Sequence, residues 1–327
     1  MTITRSFLLA IGFTLSWASI AQDFHFSQFM QNMVYVNPAC AALPATGEIG
    51  LVYRDQWPGI PATFVTYGAT AVIPVQSVKG GFGVSFLNDL QGSGVITRTS
   101  ASLLYGYLIQ VNPRWQVRAG IGASYVYKKF NADELIFRSD ILNDLGYGFG
   151  QVTLDNYSKS YPDFSVGIIA GNTGGFTFGF SASHVTRPAE SFSTRVESRL
   201  PVKYTAFASG RIGRGRTSGN NSVSIEPALF FSKQQQNHEL IWGSQVLFAG
   251  NFMLGGWIRQ NLAFNFESVI ISAGISWERY NISYSYDVNL KKIDFLSTKM
   301  AAHEVTFLYR FEYNGKKSKK AECPAYL

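Results

Sequence analysis

Histidine, cysteine and the carboxylates are the residues of this sequence that could take part in catalysis or metal binding. Their spacing supports little of either. The four histidines are far apart, with no His-x-x-x-His or Cys/His spacing of the kind that holds a metal ion. Two of them have an adjacent partner for acid–base chemistry, in Ser183-His184 and His303-Glu304. Neighbours along a strand point to opposite faces, so neither pair can cooperate directly. The sequence therefore predicts no enzyme, no metal site and no cofactor, with an outer-membrane hydrolase as an alternative.

The start of the chain has the composition of an export signal. One arginine precedes an apolar run over residues 7–17, and the small residues Ser19 and Ala21 stand at the −3 and −1 positions of a cleavage site. The run is shorter than the ~20 residues that a membrane-spanning helix needs. We therefore expect residues 1–21 to be a cleaved signal peptide and the mature chain to begin at Gln22.

The two cysteines, Cys40 and Cys323, stand near opposite ends of the mature chain. An even number of cysteines in an exported protein favours a disulfide bond, and both residues would lie in the periplasm, where disulfides form. Against a bond, nothing in the sequence holds their Cα atoms within the roughly 4.4–6.8 Å that a disulfide requires. Pairing and separate thiols both stay open.

The rest of the chain is poor in charge and rich in aromatic residues. Charged residues make up 15% and aromatic residues another 15%, whereas ordinary soluble domains have ~25% charged residues. The formal net charge is +7, and much of the excess lies in residues 210–221 and 316–320. A nucleic-acid-binding face would need a continuous basic stripe. We therefore expect a surface that does not face water everywhere, and no nucleic-acid partner.

Apolar and polar residues alternate with a period of two from Gly47 onward. Many of the alternating segments exceed ten residues, which suits a membrane-crossing strand of ~9–11 residues better than a soluble strand of ~5–6. About fourteen segments show the pattern, at 46–57, 62–74, 79–88, 95–111, 114–129, 162–172, 175–186, 199–213, 222–233, 237–249, 251–259, 265–277, 279–288 and 301–313.

The joins between these segments alternate in length. The even-numbered joins are short, such as "VNPR" and "NTGG", with the glycine-rich "GRGRTSGNN" as the exception. The odd-numbered joins are longer and include "NDLQGSGV", "QQQNH" and residues 130–161. Outer-membrane barrels have short periplasmic turns and longer extracellular loops. The alternation therefore predicts that the long joins face outside the cell.

A closed barrel is the expected fold, because open sheet edges cannot lie in lipid. The sequence predicts an all-β outer-membrane barrel of about fourteen antiparallel strands over residues 46–313, after a segment at 22–45 and before a basic tail at 314–327. A soluble β-sandwich or propeller is the alternative, since both also contain many alternating strands. The export signal and the alternate aromatic residues of "FLYRFEY" in the last strand favour the barrel.

Short motifs stand at both ends of the mature chain. "HFSQF" follows the cleavage site, "NPA" comes about ten residues later, and "YRDQWP" ends the first strand. "YSYDVNL" and "HEVTFLYRF" stand near the far end, before a basic tail that closes on Cys323-Pro324. With these motifs the chain resembles the PorP/SprF family of type IX secretion system membrane proteins. Cys40 departs from the pattern, since a bulky apolar or aromatic residue is expected after "NPA".

The resemblance implies an outer-membrane barrel that serves type IX secretion and has no catalytic activity. Members of the family are associated with the periplasmic ring of the secretion machine, or with attachment of secreted adhesins, including those of gliding motility, at the cell surface. The expected partners are outer-membrane lipid, the ring proteins and a secreted surface protein or other cargo. A passive or substrate-specific channel is the alternative, because the inward face is small and polar.

Residues 22–45 form the first candidate site. This segment is too short and irregular to be a domain, and we expect it to pack inside the barrel or across its periplasmic mouth. A flexible arm that orders on a partner is the alternative. In the first case the aromatic side chains are buried and Asn37-Pro38 makes the turn into the first strand. The residues of this candidate site are Phe24, His25, Phe26, Phe29, Tyr35, Asn37 and Pro38.

Residues 130–161 form the second candidate site, because they are the longest interruption of the strand pattern. Loops of this length are commonly functional or disordered. We expect them to face secreted cargo, with a solvated acidic loop as the alternative. The acidic residues concerned are Asp133, Glu134, Asp140, Asp144 and Asp155.

Basic residues on the periplasmic side form the third candidate site. A run of lysines in the tail, extended by the glycine-rich join, predicts docking of an acidic periplasmic partner. A solvated terminus is the alternative. The residues concerned are Arg214, Arg216, Lys316, Lys317, Lys319 and Lys320.

Overall fold

Antiparallel strands make up most of this computed structural model, which describes residues 23–43, 46–60, 63–135, 154–192, 198–213, 223–248, 251–290 and 301–312. The strands are β1 (Gly47–Gln56), β2 (Phe64–Val75), β3 (Gly80–Gln91), β4 (Ile96–Gln110), β5 (Trp115–Phe130), β6 (Tyr157–Asn172), β7 (Thr177–Ser183), β8 (Lys203–Ser209), β9 (Ile212–Gly213), β10 (Val223–Gln234), β11 (Asn237–Phe248), β12 (Phe252–Gln260), β13 (Phe266–Trp277), β14 (Tyr280–Asn289) and β15 (Ala302–Phe311). A short α-helix, α1 (Met33–Val36), and 3-10 helices at Pro38–Ala42, Gln76–Val78 and Ala132–Glu134 complete the described elements.

The strands close into a barrel because the last strand pairs with the first, from Gly47 opposite Phe311 to Gln56 opposite Ala302. β8 and β9 both pair with the same side of β10 and together occupy one strand position of the barrel. Each strand position around the barrel is here called a stave. The break between them lies at Pro227, which accepts a hydrogen bond from Gly210 N (3.0 Å) but has no N–H to return. Since two of the fifteen strands share a stave, the barrel has fourteen staves, and the predicted fold is confirmed.

The two faces of the barrel follow the alternation in the sequence. In β5, Ile121 and Tyr125 are 60% and 61% exposed on the outer face, whereas Arg118 and Val126 point inward and are buried. A lipid-facing belt of large apolar side chains is what a membrane barrel requires. Among the described residues, no helix has the length and hydrophobicity to cross a membrane.

The two mouths of the barrel carry different connections. We call the mouth with the β2–β3, β4–β5 and β6–β7 connections the turn end, and the opposite mouth the loop end. The loop end carries the long connections at 131–156 and 184–202. The contrast is weaker than the sequence predicts, because β10 extends to Gln234 and β11 begins at Asn237. The expected long join "QQQNH" is therefore a turn of only Gln235 and Gln236.

Residues 23–43, here called the lumenal segment, fill the interior of the barrel. The turn-end part lies beside Gly81 at the start of β3, and Asp23 lies beside Gln234 at the loop end of β10. The segment therefore runs through the lumen from the turn end to the loop end. The main hydrophobic core is its contact with the wall, and includes Phe29, Met30, Met33, Val34, Leu104, Ile169, Phe230, Ile241 and Trp257.

One detail of the predicted segment is wrong. Asn37 and Pro38 do not make the turn into β1, because β1 begins only at Gly47. Instead they start the 3-10 helix at Pro38–Ala42, inside the lumen.

Candidate functional site

The 3-10 helix at Pro38–Ala42 lies against the barrel wall, where glycines leave room for its backbone. A β-carbon on Gly120 would lie 2.2 Å from Ala39 N, and one on Gly81 would lie 2.0 Å from Ala41 O. Only glycine lets two backbones approach this closely. The wall sequence therefore determines where this helix sits.

Asn37 joins this helix to the wall. Its side-chain oxygen accepts a hydrogen bond from Ala39 N at 2.9 Å, which satisfies a free N–H at the helix start. Its side-chain nitrogen donates to the carbonyl oxygens of Ile168 at 3.3 Å and Phe180 at 3.0 Å. One amide side chain thus fixes the helix to two neighbouring strands.

Aromatic side chains hold the middle of the lumenal segment. The Phe29 ring is buried, with its centroid 5.1 Å from that of Phe230 and 5.5 Å from that of Trp257. Phe26 is buried against Tyr35 and the half-buried Phe24, each at 5.3 Å between centroids. Such pairs add ~0.5–1.5 kcal/mol each beyond the area they bury.

Tyr35 adds a polar contact. Its hydroxyl donates a hydrogen bond to the carbonyl oxygen of Phe86 at 3.1 Å, and burial raises its pKa. The tyrosine therefore stays neutral and serves as a donor to β3.

Glu304 on β15 is the main acceptor for the lumenal segment. Its carboxylate is fully buried and accepts hydrogen bonds from Ser27 N at 2.7 Å, Gln28 N at 3.0 Å and Asn32 Nδ2 at 3.0 Å. Arg54 Nη1 on β1 lies 3.2 Å from the same carboxylate. One buried charge thus binds three residues of the segment and one arginine of the wall.

Asp287 on β14 continues this group of charges. Arg54 lies 3.2 Å and Arg259 lies 2.7 Å from its Oδ2. The Ser27 hydroxyl donates to the same oxygen at 2.7 Å. That hydroxyl also accepts hydrogen bonds from both arginines. We call Arg54, Arg259, Asp287 and Glu304 the central cluster; its two positive and two negative side chains surround Ser27.

The stretches that carry the family resemblance converge on this cluster. "HFSQF" contains Ser27, "YRDQWP" contains Arg54, "YSYDVNL" contains Asp287 and "HEVTFLYRF" contains Glu304. Their joint role is to hold the lumenal segment in place.

A second group of charges lies at the loop end. His184 follows β7, with Nδ1 2.6 Å from Asp163 Oδ2 and Nε2 2.5 Å from Asp23 Oδ2. Arg98 on β4 forms an ion pair with the other oxygen of Asp23. We call Asp23, Arg98, Asp163 and His184 the outer cluster. It binds the first described residue of the lumenal segment to three staves.

Contacts within the outer cluster shift the pKa values of His184 and Asp23, its two members that lie outside the strands. Burial alone would lower the pKa of His184, but Asp23 and Asp163 outweigh it and raise the pKa to about 9. Burial alone would raise the pKa of Asp23, but His184 and Arg98 hold it well below its usual value. Both side chains are therefore charged at neutral pH. Since both ring nitrogens of His184 face carboxylates, neither is available to activate Ser183.

His25 lies between the two clusters, half-buried, with Nε2 3.5 Å from Arg54 Nη2. Burial, Arg259, Arg54 and Lys203 all lower its pKa, so it is neutral at physiological pH. Within the part of the chain that the structure describes, no group of three or more His, Cys, Asp or Glu residues is placed to hold a metal ion.

The acidic loop is described only at its base. Asp133, Glu134 and Asp155 are exposed at the loop end, and Asp140 and Asp144 lie outside the described residues. Asn156 clasps the base, because its side chain accepts from Ala132 N at 2.7 Å and donates to Asp133 Oδ2 at 2.9 Å.

Two other predicted groups are wholly or partly outside the described residues. Cys40 is buried beside the wall, and Cys323 is not described, so the disulfide stays a prediction. The same holds for the basic docking strip of Arg214, Arg216, Lys316, Lys317, Lys319 and Lys320.

The sequence singled out His184 and Glu304 only as members of adjacent acid–base pairs, and it did not indicate the other members of the two clusters. The available signal was charge on the inward face: Arg54, Asp287 and Glu304 are buried, and each is next to an exposed apolar or aromatic residue, Tyr53, Val288 and Val305 respectively. A charge buried in a barrel wall is costly unless it is paired. Inward charges on β1, β14 and β15 therefore indicate partners inside the lumen.

The fold is that of an outer-membrane β-barrel, closed by the pairing of its last strand with its first and occupied in its lumen by residues 23–43. Residues 18–309 match the family described as type IX secretion system membrane protein PorP/SprF. The chain belongs to this family, and the resemblance read from the sequence is confirmed. The comparison with curated proteins gives no match.

Three solved structures with a similar fold are distant from this chain in sequence. The Ralstonia pickettii toluene transporter TbuX is 11% identical, with 87% of this chain and 93% of that chain covered and a TM-score of 0.48. The Pseudomonas putida toluene transporter TodX is 10% identical, with 85% and 93% covered and a TM-score of 0.47. The Acinetobacter baumannii outer membrane protein Omp33 is 10% identical, with 83% and 100% covered and a TM-score of 0.42.

Proposed function

We propose that this protein, after removal of residues 1–21, is a non-enzymatic docking component of type IX secretion in the outer membrane. It binds periplasmic ring proteins of the machine, or anchors one secreted surface protein such as an adhesin. The observation that carries this proposal is the filled lumen: residues 23–43 occupy it, and their buried contacts link them to the staves on every side. A barrel built this way offers its two mouths as surfaces and is not an open pore.

The loop end supplies the surface for secreted cargo in this proposal. Long connections lie there, and the acidic loop extends from a base that Asn156 holds in place. The turn end supplies the periplasmic surface, where the basic residues at 214–216 and 316–320 would meet an acidic partner. Inverting these assignments would put the long loops in the periplasm, against the usual arrangement of such barrels.

The experiment that tests this role is an affinity capture from native outer membranes in mild detergent, with mass spectrometry of what is recovered. The tag is placed in the 184–202 loop. The test variant joins Leu135 to Leu154 by a short linker, which removes the acidic loop and keeps its clasped base. The matched control replaces Asp140 and Asp144 by asparagine and keeps the loop length.

Each outcome decides between named roles. Recovery of one large secreted surface protein, lost on trimming, supports the anchor. Recovery of periplasmic ring proteins, unaffected by trimming, supports docking of the machine. If neither is recovered and the pure barrel conducts ions in a planar bilayer, the docking proposal is wrong and the channel alternative replaces it.

A further inference from the structure

A groove of about 860 Å³ runs along β13 on the outer surface of the barrel, and the residues that line it are all apolar or aromatic. Its floor is low because Ala273 stands opposite Leu254 on β12 and opposite Tyr284 on β14, both of which have larger side chains. All three residues are exposed on the outer face. We call this depression the β13 groove.

Aromatic side chains form the walls of the β13 groove. Phe248 and Phe252 line it on one side, and Tyr280 and Phe307 line it on the other. The Tyr280 ring is stacked on that of Tyr309, with 5.1 Å between centroids, and its centroid lies 6.1 Å from that of Phe307. Because these rings pack on one another, the second wall has a defined position.

The length of the β13 groove matches one leaflet of a membrane. Four residue steps separate Ala273 from Trp277, which is roughly 14 Å at ~3.4 Å for each step. One half of a ~30 Å hydrocarbon core is about 15 Å thick. Trp277 and Tyr280 are 71% and 49% exposed at the turn end of the groove. Since Trp and Tyr are enriched at the level of the lipid headgroups, the hydrocarbon ends there. The groove therefore has the length and the surface of a site for an acyl chain.

Two opposite charges lie directly beyond these aromatic residues. β13 ends at Trp277 and β14 begins at Tyr280, so the turn between them consists of Glu278 and Arg279. Both side chains are exposed, and among the described residues no side chain forms an ion pair with either. Arg310 N donates to Arg279 O at 2.8 Å, which holds the backbone of the turn. A headgroup above the groove therefore meets one exposed carboxylate and one exposed guanidinium.

We propose that the β13 groove binds one acyl chain of phosphatidylethanolamine, with the lipid headgroup on the turn of Glu278 and Arg279. The phosphate carries one negative charge and suits the guanidinium, which can bind two of its oxygens at once. The ethanolamine ammonium has three N–H donors and suits the carboxylate of Glu278. Phosphatidylglycerol has no positive charge to meet Glu278, and the quaternary nitrogen of phosphatidylcholine has no N–H to donate. The two opposite charges of the turn therefore favour the ethanolamine headgroup.

This inference is independent of the docking role, because lipid binding is measured on the purified barrel without any partner protein. The first test uses protein purified from outer membranes in detergent and stripped of lipid while folded. It is mixed with equal amounts of phosphatidylethanolamine, phosphatidylglycerol and phosphatidylcholine of the same chain length, and native mass spectrometry identifies the retained lipid. We expect retention of phosphatidylethanolamine to exceed that of either other lipid by roughly fivefold. Equal retention of the three lipids, or a dimer of the chain in place of bound lipid, would overturn the inference.

Glu278→Gln is the sharper test of the headgroup site, because it leaves Arg279 as the one charge of the turn. Retention should then shift from phosphatidylethanolamine towards phosphatidylglycerol, whereas Arg279→Gln should lower retention of both lipids. Arg114→Gln is the matched control, since Arg114 is exposed in the β4–β5 turn at the same end of the barrel and away from the groove. Its loss should change neither. A lipid preference that Glu278→Gln leaves unchanged would show that the turn does not bind the headgroup.

Ala273→Trp tests the acyl-chain site, because the larger side chain fills the floor of the groove. Phosphatidylethanolamine with a photoreactive group in its acyl chain should cross-link to β12, β13 and β14 of the wild type, and Ala273→Trp should reduce this cross-linking several-fold. Ala123→Trp on β5 is the matched control, since Ala123 is equally small and exposed but lies outside the groove. Equal cross-linking in the two variants, or cross-links spread around the whole wild-type barrel, would contradict a preferred site at β13.

Discussion

Glu304 makes more hydrogen bonds to the lumenal segment than any other wall residue described above. Its carboxylate accepts from three donors of the segment and from Arg54. Removing it leaves Arg54 buried with one carboxylate fewer and leaves two backbone N–H groups without an acceptor. Breaking a buried, hydrogen-bonded charge pair costs about 3–5 kcal/mol. We expect Glu304→Ala to lower the free energy of unfolding by that amount, measured by urea denaturation in detergent micelles.

Two matched variants separate this effect from a general loss of charge. Glu304→Gln keeps one carbonyl acceptor and should cost less than Glu304→Ala. Glu312→Ala removes an exposed carboxylate just beyond β15 and should change the free energy of unfolding by less than ~0.5 kcal/mol. Equal effects of the three substitutions would show that Glu304 does not hold the segment.

The outer cluster makes stability depend on pH, with a direction set by two pKa shifts. The pKa of His184 is raised from 6.5 to about 9 on folding, so its contribution is complete below pH 6.5 and is lost as pH rises through 9. The pKa of Asp23 is lowered, so its contribution is complete above pH 3.8 and is lost as pH falls below that value. The cluster therefore stabilises the protein most between about pH 4 and 6.5.

Comparison of the wild type with His184→Gln tests this direction. We expect the difference in free energy of unfolding to be on the order of 3 kcal/mol larger at pH 5.5 than at pH 9.5, from the size of the His184 shift. Asp23→Asn removes the main cause of the raised pKa, so that variant should lose its pH-dependent stability at a lower pH than the wild type. A difference that is the same at both pH values would contradict the assignment.

At the scale of elements, the fit between the 3-10 helix and the wall depends on Gly120. A side chain there would meet the backbone of Ala39, which has no rotamer by which to move away. We expect Gly120→Ala to lower the free energy of unfolding by about 1–3 kcal/mol, the usual cost of overpacking. Gly256→Ala is the control, since a β-carbon on β12 at that position meets nothing within 4 Å and should cost nothing. A neutral Gly120→Ala would mean that the helix sits elsewhere.

The strands were predictable from the sequence and the lumenal contacts were not, for one physical reason. Lipid outside and a packed lumen inside impose an alternation of period two on each strand separately. The alternation alone therefore predicts a strand at 251–259, where β12 lies, without knowledge of the neighbouring strands. Asp23 and His184 are 161 positions apart, and no local pattern couples them. The sequence therefore predicted that residues 22–45 pack inside the barrel or across its periplasmic mouth, and could not indicate which wall charges receive them.

At the scale of the whole molecule, the barrel wall encloses the lumenal segment and binds it by non-covalent contacts, as it would bind a separate peptide ligand. A protease site inserted at positions 44–45, between Leu43 and β1, would cut this connection without changing any described contact. We expect no conductance in a planar bilayer before or after the cut, because buried hydrogen bonds, the ion pairs of Asp23 and aromatic contacts still hold the segment. Washing the cut protein with urea at a concentration that leaves the barrel folded should release residues 23–43 and open an ion-conducting lumen.

Conductance of the uncut protein would mean that the segment does not close the barrel. Loss of the segment directly on cutting would mean that the covalent link, and not the two charge clusters, keeps it in place.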